Sequence, residues 1–215
     1  MDISITLIII VATILVSYPA FNRQEIINRL KHSPFMEVNK NEWYRLITSG
    51  FVHADWMHLG VNMYVLYEFG KIVEEDIFLP LFGVNGRLIY LLMYILAIMA
   101  GALPSLIKEK DNIAYGAIGA SGAVSAVVFI YMMMSPWSML GIMFVIPMPA
   151  VLAGVAFLWY SSWANKRNVR SFSGRQVGHM AHFYGAVFGM VFVAILKPEV
   201  LVNFWFQLIH PPWFS

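Results

Sequence analysis

Four polar residues in apolar surroundings have the types and spacing for acyl-transfer chemistry. Ser121 is a candidate nucleophile between two glycines, within a stretch of small residues at 116–126. A serine hydroxyl is a weak nucleophile and needs an adjacent base, for which His182 is the candidate. His58 and Asn62 are four residues apart and share one helix face. Their side chains, with backbone N–H groups at the start of the serine segment, are candidate donors to a developing oxyanion.

Each candidate also has a purely structural interpretation. A single serine among small residues in a membrane helix is usually a packing residue, and an asparagine there can serve as an interhelical hydrogen-bonding group. We expect His179 to line a loop, and His53 is as readily an interfacial surface residue as a functional one. Taken singly, none of these residues indicates a function, so the argument depends on whether the fold brings them together.

The composition indicates a membrane protein that crosses the bilayer several times. Hydrophobic residues make up 60% of the 215 positions and charged residues only 12%, against about 25% charged in ordinary soluble domains. The net charge of +2 gives no indication of a nucleic-acid partner. The absence of cysteine excludes disulfides, thiolate nucleophiles and cysteine-based metal sites. We expect a single polytopic membrane domain over 1–215, whose first apolar segment is a retained helix rather than a signal peptide.

Six apolar segments approach the roughly 20 residues that a membrane-spanning helix needs. The predicted fold class is therefore an all-α membrane protein with a six-transmembrane-helix bundle. Pro104 is expected to end the third helix, and Pro147 to lie in the first turn of the fifth. A short interfacial helix with a capping-box start at Asn22 is expected after the first span. The approximate spans are 3–21, 57–73, 88–103, 116–135, 147–163 and 178–196.

The order of these helices places the polar candidates at one depth. The second, fourth and sixth spans all begin on the same membrane face, and they carry His58 with Asn62, Ser121 and His182 near their starts. Polar groups cost free energy in hydrocarbon, so their gathering at one depth is a site hypothesis.

Glycine spacing predicts close contact between the fourth and sixth helices. Gly185 and Gly189 share a face with His182, and a Gly-xxx-Gly pair lets a neighbouring helix approach closely. The small residues around Gly122 are the expected partner surface. Such packing would bring the His182 imidazole to the Ser121 hydroxyl.

Four motifs, in this order, resemble those of the rhomboid family of intramembrane serine proteases. The serine motif alone is weak evidence, but the four together are specific, and they cover the chain from about residue 42 to residue 189. They are Glu42-Trp-Tyr-Arg45 followed by Thr48 and Phe51-Val-His53, then His58-Leu-Gly-Val-Asn62, Gly119-Ala-Ser-Gly122, and Ala181-His-Phe-Tyr-Gly-Ala-Val-Phe-Gly189.

The resemblance implies a Ser121–His182 dyad without an acidic third member. It also implies an oxyanion site formed by His58, Asn62 and the Ser121 N–H, with Gly119 of the serine motif beside it. The implied catalytic core is about 40–196, with no cofactor or metal. The implied partners are the lipid bilayer and single-span or polytopic membrane proteins, cleaved in or near a transmembrane segment. Some family members have an aromatic residue four positions after the serine, stacked on the histidine; here that position is Ser125.

The charge distribution conflicts with the orientation that the family implies. The positive-inside rule would put the active-site face in the cytoplasm, whereas the family implies that this face is outside with the N-terminus inside. We expect the family orientation, in a bacterial inner membrane. Only Lys71, Arg87 and Lys197 lie on the opposite side. The loops on the active-site face contain eleven of the fourteen Lys and Arg residues: Arg23, Arg29, Lys31, Lys40, Arg45, Lys108, Lys110, Lys166, Arg167, Arg170 and Arg175.

Two other functions compete with the protease. A metal- or haem-binding membrane protein would use His53, His58, His179 and His182, although no cysteine or carboxylate joins them and no HExxH motif is present. A catalytically silent, substrate-binding relative of the protease is the second alternative. Retention of both Ser121 and His182 argues against it. A transporter is disfavoured because the sequence shows no internal repeat.

Overall fold

Helices make up most of the chain in the computed structural model, which describes residues 4–142, 146–167 and 179–213. Short helical turns at Ser49–Phe51, Val73–Phe78 and Gly83–Asn85 connect some of the α-helices, and the second of these turns is π-helical. The α-helices of these three ranges are α1 (Ile5–Ala20), α2 (Gln24–Leu30), α3 (Pro34–Lys40), α4 (Arg45–Thr48), α5 (Trp56–Ile72), α6 (Leu79–Phe82), α7 (Gly86–Lys108), α8 (Ser121–Met134), α9 (Ala150–Lys166), α10 (His179–Leu196) and α11 (Glu199–Ile209).

Each of the six apolar segments predicted from the sequence contains a helix, but the helices differ in length. Within the described ranges, the stretch Trp56–Lys108 is long and apolar enough to cross a membrane, and α10 with α11 meets the same criterion only as a pair bent by 116°. Helices α1, α8 and α9 are apolar but shorter. The helical fold is thus confirmed, whereas length and composition alone do not establish six crossings.

Helix α8 is the centre of the bundle. Ten of its fourteen residues are buried, including Val127, Phe129 and Ile130. It packs against α5, α7, α9 and α10. A helix that is apolar on all sides is usually surrounded by other helices. The first residue of this central helix is Ser121.

The third predicted helix continues past Pro104, contrary to our expectation. Helix α7 ends at Lys108, one turn beyond the proline. Tertiary contacts hold this last turn, because the Ser105 hydroxyl donates to the Ala102 carbonyl at 2.8 Å and lies 2.9 Å from Nε2 of the buried His32. The packing therefore offsets the local cost of a proline inside a helix.

A strand of an antiparallel pair, not the start of a helix, contains Pro147. Strand β1 (Met139–Ile142) pairs antiparallel with β2 (Ile146–Pro149), in a register that sets Gly141 opposite Pro147. Proline has no N–H to donate but is tolerated in an edge strand, and both strands of this pair are edges. Helix α9 consequently begins at Ala150, three residues later than predicted.

Two shorter segments also differ from the sequence-based expectations. Helix α2 exists, but its N-cap is Arg23 and it has no side-chain cap, so the capping box predicted at Asn22 is wrong. Its apolar face packs inward, where Ile27 is buried against Val52. The C-terminal segment beyond the sixth predicted span, for which no helix was predicted from the sequence, forms α11, in which Trp205 is 65% exposed.

The buried carboxylate of Glu74 anchors the start of α1 to the π-helical turn that follows α5. It accepts hydrogen bonds from the Ser4 hydroxyl at 2.7 Å and from the Ile5 and Thr6 N–H groups at 2.8 Å. A carboxylate at a helix N-terminus satisfies orphan N–H groups and complements the helix dipole. This anchor matters for the site, because α1 also carries Ser17, described below.

Candidate active site

Helix α8 begins at Ser121, five residues later than predicted, because the preceding backbone bonds to other segments. Ala117 exchanges two hydrogen bonds of 3.0 Å with His32, and the Gly119 N–H donates to the Ser49 carbonyl at 2.9 Å. The first N–H groups of a helix have no intrahelical acceptor. Ser121 therefore lies at the positive end of α8, where a developing negative charge is stabilised.

Gly119 occupies a position that only glycine tolerates. Its φ is +121°, and a Cβ built there would lie 2.6 Å from Cε1 of His58. A side chain at this position would therefore be strained and would displace the imidazole. The serine motif thus places its first glycine directly against His58.

A chain of hydrogen bonds from α1 holds the residue that precedes the serine. The Ala120 N–H donates to Nε2 of His53 at 3.3 Å, and Nδ1 of His53 lies 3.0 Å from the Ser17 hydroxyl. Ser17 donates in turn to the Phe51 carbonyl at 2.9 Å. An amide can only donate, so the neutral imidazole has its proton on Nδ1 and donates it to Ser17.

The interfacial-surface interpretation of His53 is therefore wrong. Its side chain is fully buried, and burial, followed in size by the effect of the nearby His58, lowers the pKa of His53 to about 3. The ring is neutral at physiological pH, as its acceptor role towards Ala120 requires. A sequence signal did exist, since His53 lies in a motif of the resemblance, but spacing gave no indication of its partners.

His58 and Asn62 are placed by the first turns of α5. The Asp55 carboxylate caps this helix by accepting the His58 N–H at 2.8 Å, and the Asn62 side-chain amide donates to the His58 carbonyl at 2.9 Å. The His58 ring packs edge-on against His53, with centroids 4.9 Å apart. The two predicted donors lie one turn apart on α5, and the His58 ring lies next to Gly119.

Helices α8 and α10 meet through their backbones. A Cβ on Gly185 would overlap the Gly122 carbonyl oxygen, and a Cβ on Gly189 would lie 2.7 Å from the Ala126 carbonyl oxygen. Real Cβ atoms essentially never approach so closely, so both positions require glycine. This contact brings the start of α10, with His182, beside the start of α8, with Ser121.

One cavity of about 1910 Å³ contains every predicted chemical residue of the site. Its walls include residues of α5, α7, α8, α9, α10 and the loop before α8, and they are mostly apolar. The predicted residues among its lining are Ser121, His182, His58, Asn62 and Gly119.

The structure adds a residue to the site that the sequence did not indicate. The ring of Phe157, on α9, stacks on the ring of His182 with centroids 5.7 Å apart and planes inclined by 26°. Both residues line the cavity. Phe157 belongs to no motif of the resemblance, and one more aromatic residue in an apolar segment gives no signal. The side chain of His179, in contrast, lies outside the described part of the structure.

Comparisons with known proteins show the family to which the chain belongs. The Rhomboid domain family matches residues 40–199, so the chain belongs to this family and is a membrane protein. It is 27% identical over 166 residues to Rhomboid-like protein 11, chloroplastic, of Arabidopsis thaliana, covering 77% of this chain and 56% of that protein. It is 30% identical over 166 residues to RHOMBOID-like protein 12, mitochondrial, of the same plant, covering 72% and 48%.

A third relative is Presenilin-associated rhomboid-like protein A, mitochondrial, of Danio rerio. The identity is 28% over 181 residues, which cover 79% of this chain and 43% of that protein. The chain thus spans about half the length of the curated relatives it matches.

The backbone contact between α8 and α10 predicts the effect of adding a single methyl group. Gly185→Ala should lower the melting temperature in detergent, because overpacking of this kind costs about 1–3 kcal/mol. Gly60→Ala is the matched control, since a Cβ at that helical glycine meets nothing within 4 Å. The control should melt at or slightly above the wild-type temperature. Equal melting temperatures for both variants would contradict the contact.

Burial of neutral His53 predicts a loss of stability in acid. The pKa of His53 is lowered to about 3, below the unfolded value of 6.5, so the unfolded state binds the proton first. The contribution of His53 to the free energy of unfolding is complete above pH 6.5. Below that pH it decreases by up to about 1.4 kcal/mol per pH unit. His53→Gln should be less stable at pH 7 but should show a shallower decline between pH 6.5 and 4. Parallel curves for variant and wild type would contradict the assignment.

Proposed function

We propose that this protein is an intramembrane serine endopeptidase in which Ser121 is the nucleophile and His182 the base. The observation that supports this most is the position of Ser121 at the N-terminus of buried α8, in one cavity with His182, His58 and Asn62. Membership of the Rhomboid family supports it as well.

The proposed reaction is an acyl transfer in two steps. His182 takes the hydroxyl proton as the Ser121 oxygen bonds to the scissile carbonyl carbon, and the carbonyl oxygen becomes an oxyanion. The Ser121 N–H and the side chains of His58 and Asn62 donate to that oxyanion. When the C–N bond breaks, His182 returns the proton to the leaving amine. Water then attacks the acyl-enzyme by the same route and frees Ser121.

The proposed fold is a six-helix membrane bundle of α1, α5, α7, α8, α9 and α10. At 14 residues α8 is about 21 Å long, shorter than the roughly 30 Å hydrocarbon core. Ser121, at its end, would therefore lie below the membrane surface. Non-helical backbone is tolerated at such a depth only when protein satisfies its polar groups. The hydrogen bonds of the preceding loop to His32, Ser49 and His53 meet that requirement.

The proposed substrates are single-span or polytopic membrane proteins. The cavity is mostly apolar along α5, α8 and α9 and is polar near Ser121. Such walls suit an apolar segment whose backbone carbonyl must reach the serine. The relatives have chloroplastic and mitochondrial in their names, which gives no support to a bacterial inner membrane. The proposal is therefore confined to a membrane location.

The metal-binding alternative conflicts with the contacts of His53. Both ring nitrogens of His53 are engaged, one by Ser17 and the other by Ala120. No group of three or more His, Cys, Asp or Glu side chains suited to a metal ion is found within the described ranges. The silent, substrate-binding relative remains the alternative that the following experiment must separate from the protease.

Replacement of the dyad should abolish proteolysis without unfolding the protein. We expect Ser121→Ala and His182→Ala to stop cleavage of a model transmembrane substrate in liposomes, and Ser121→Ala to stop fluorophosphonate labelling. Asn62→Ala should lower kcat by about 10²–10³ with little change in KM, because its donor acts mainly in the transition state. Ser161→Ala, which removes a buried hydroxyl from α9, is the control and should cleave normally.

Three results would contradict the proposal. Cleavage by Ser121→Ala would exclude the nucleophile, and loss of cleavage with EDTA would favour the metal-binding alternative. Folded wild-type protein that neither cleaves nor labels, yet binds the substrate, would indicate the silent relative.

Burial of Arg45 weakens the charge argument about orientation. Its guanidinium is paired with Glu42 and donates to the carbonyls of Asn28 and Lys31, so it is not a free cation at the membrane surface. The positive-inside rule concerns charges near the ends of membrane spans. The charge of Arg45 instead holds the first loop together through its contacts with the protein.

The absence of cysteine makes the orientation directly measurable. Asp111 is exposed in the loop between α7 and α8, on the same side as Ser121 in the proposed bundle. We expect Asp111→Cys to react with a membrane-impermeant thiol reagent that is added outside intact cells or organelles. The family orientation requires this result, because it places the loop on the outer side of the membrane. Reaction only after permeabilisation would support the charge count instead. The cysteine-free wild type is the blank.

A further inference from the structure

The ring of His182 is covered by an aromatic residue that comes from a different helix than the resemblance leads one to expect. Ser125, four positions after Ser121, is 7% exposed and too small to cover an imidazole. Phe157 of α9 stacks on the His182 ring, with centroids 5.7 Å apart and planes 26° from parallel. Such an offset arrangement is the preferred geometry of stacked rings.

Phe157 is 36% exposed, and it also contacts the core. Its ring contacts Phe129 of α8, with centroids 6.1 Å apart and planes inclined by 48°. Phe129 is 2% exposed, so it cannot move without disturbing the centre of the bundle. Phe157 therefore links the buried face of α8 to the ring of His182 on α10.

We propose that Phe157 is the positioning residue for the His182 ring, and only its catalytic consequences rest on the proposed protease function. This offset stacking contact restricts rotation of the imidazole about its last torsion and so holds the plane of the ring in one orientation. When the ring accepts the serine proton it becomes a cation within about 6 Å of an aromatic centroid, a favourable arrangement. The contact therefore favours both the orientation and the charge that the transition state needs.

Kinetics can separate stacking from bulk packing. Phe157→Leu keeps an apolar side chain but removes the ring, and we expect it to lower kcat by about 10- to 100-fold. Phe157→Tyr should retain most activity. Adding Ser125→Tyr to Phe157→Leu should restore part of the rate, because an aromatic ring then returns from α8. Trp159→Ala is the control, since Trp159 lies on the same helix and is 69% exposed, and it should cleave like wild type.

Histidine NMR tests the contact without any need for activity. The protein is labelled with ¹³C-histidine, and the His182 signal is assigned as the one that is missing from the spectrum of His182→Asn. Stacking on Phe157 should shift it upfield, and the shift should disappear in Phe157→Leu but persist in Trp159→Ala. If Phe157→Leu keeps both the shift and the wild-type kcat, the inference is overturned.

The two proposals fail in different ways. A wild type that shows the shift but neither cleaves nor labels would refute the protease and support the positioning of His182. A wild type that cleaves while Phe157→Leu is equally fast would refute the role of Phe157 and leave the protease intact.

Discussion

The structure depends on satisfying the backbone between α7 and α8. This loop runs into an apolar bundle. An unpaired N–H or C=O group there costs a free energy comparable to that of a lost hydrogen bond. Ala117 pairs with His32, Gly119 donates to Ser49 and Ala120 donates to His53. Each acceptor belongs to the segment between α2 and α5, so the first loop of the chain determines where α8 begins. The position of Ser121 follows from that constraint.

This constraint also explains why the hydrogen bonds that support the loop extend to distant parts of the chain. His53 can accept from Ala120 only while it is neutral with its proton on Nδ1, and Ser17 of α1 selects that tautomer. Helix α1 is fixed in turn by Glu74, which accepts from Ser4, Ile5 and Thr6. A contact near the end of α5 thus supports a backbone amide beside the serine, through packed helices and paired polar groups.

The sequence predicted what depends on periodicity and small residues. It located the helices that became α5, α8 and α10, and the spacing of Gly185 and Gly189 indicated the face of α10 that meets the carbonyls of α8. Backbone contact of this kind requires glycine, so it leaves a sequence trace. The expectation that the polar candidates share one depth rested on the order of the helices alone and stays a prediction.

What the sequence could not predict depends on contacts between distant segments. The start of α8 was placed five residues early, because composition does not show that residues 116–120 bond to the first loop. Pro147 was assigned to the first turn of a helix, but it lies in an edge strand. Proline is tolerated at both kinds of position, so its presence does not distinguish between them. His53 was left ambiguous because its burial is a property of the folded chain.

For His182, the proposed base, an aromatic neighbour has a physical advantage over a carboxylate inside an apolar bundle. A carboxylate used to orient an imidazole would have to be desolvated in the bundle, at a cost that only good additional hydrogen bonds offset. An aromatic face restricts the imidazole with no such cost, and it still interacts favourably with the imidazolium. It makes no directional bond, so the ring can come from whichever helix packs at the right distance. Here that helix is α9, and the position on α8 is left to Ser125.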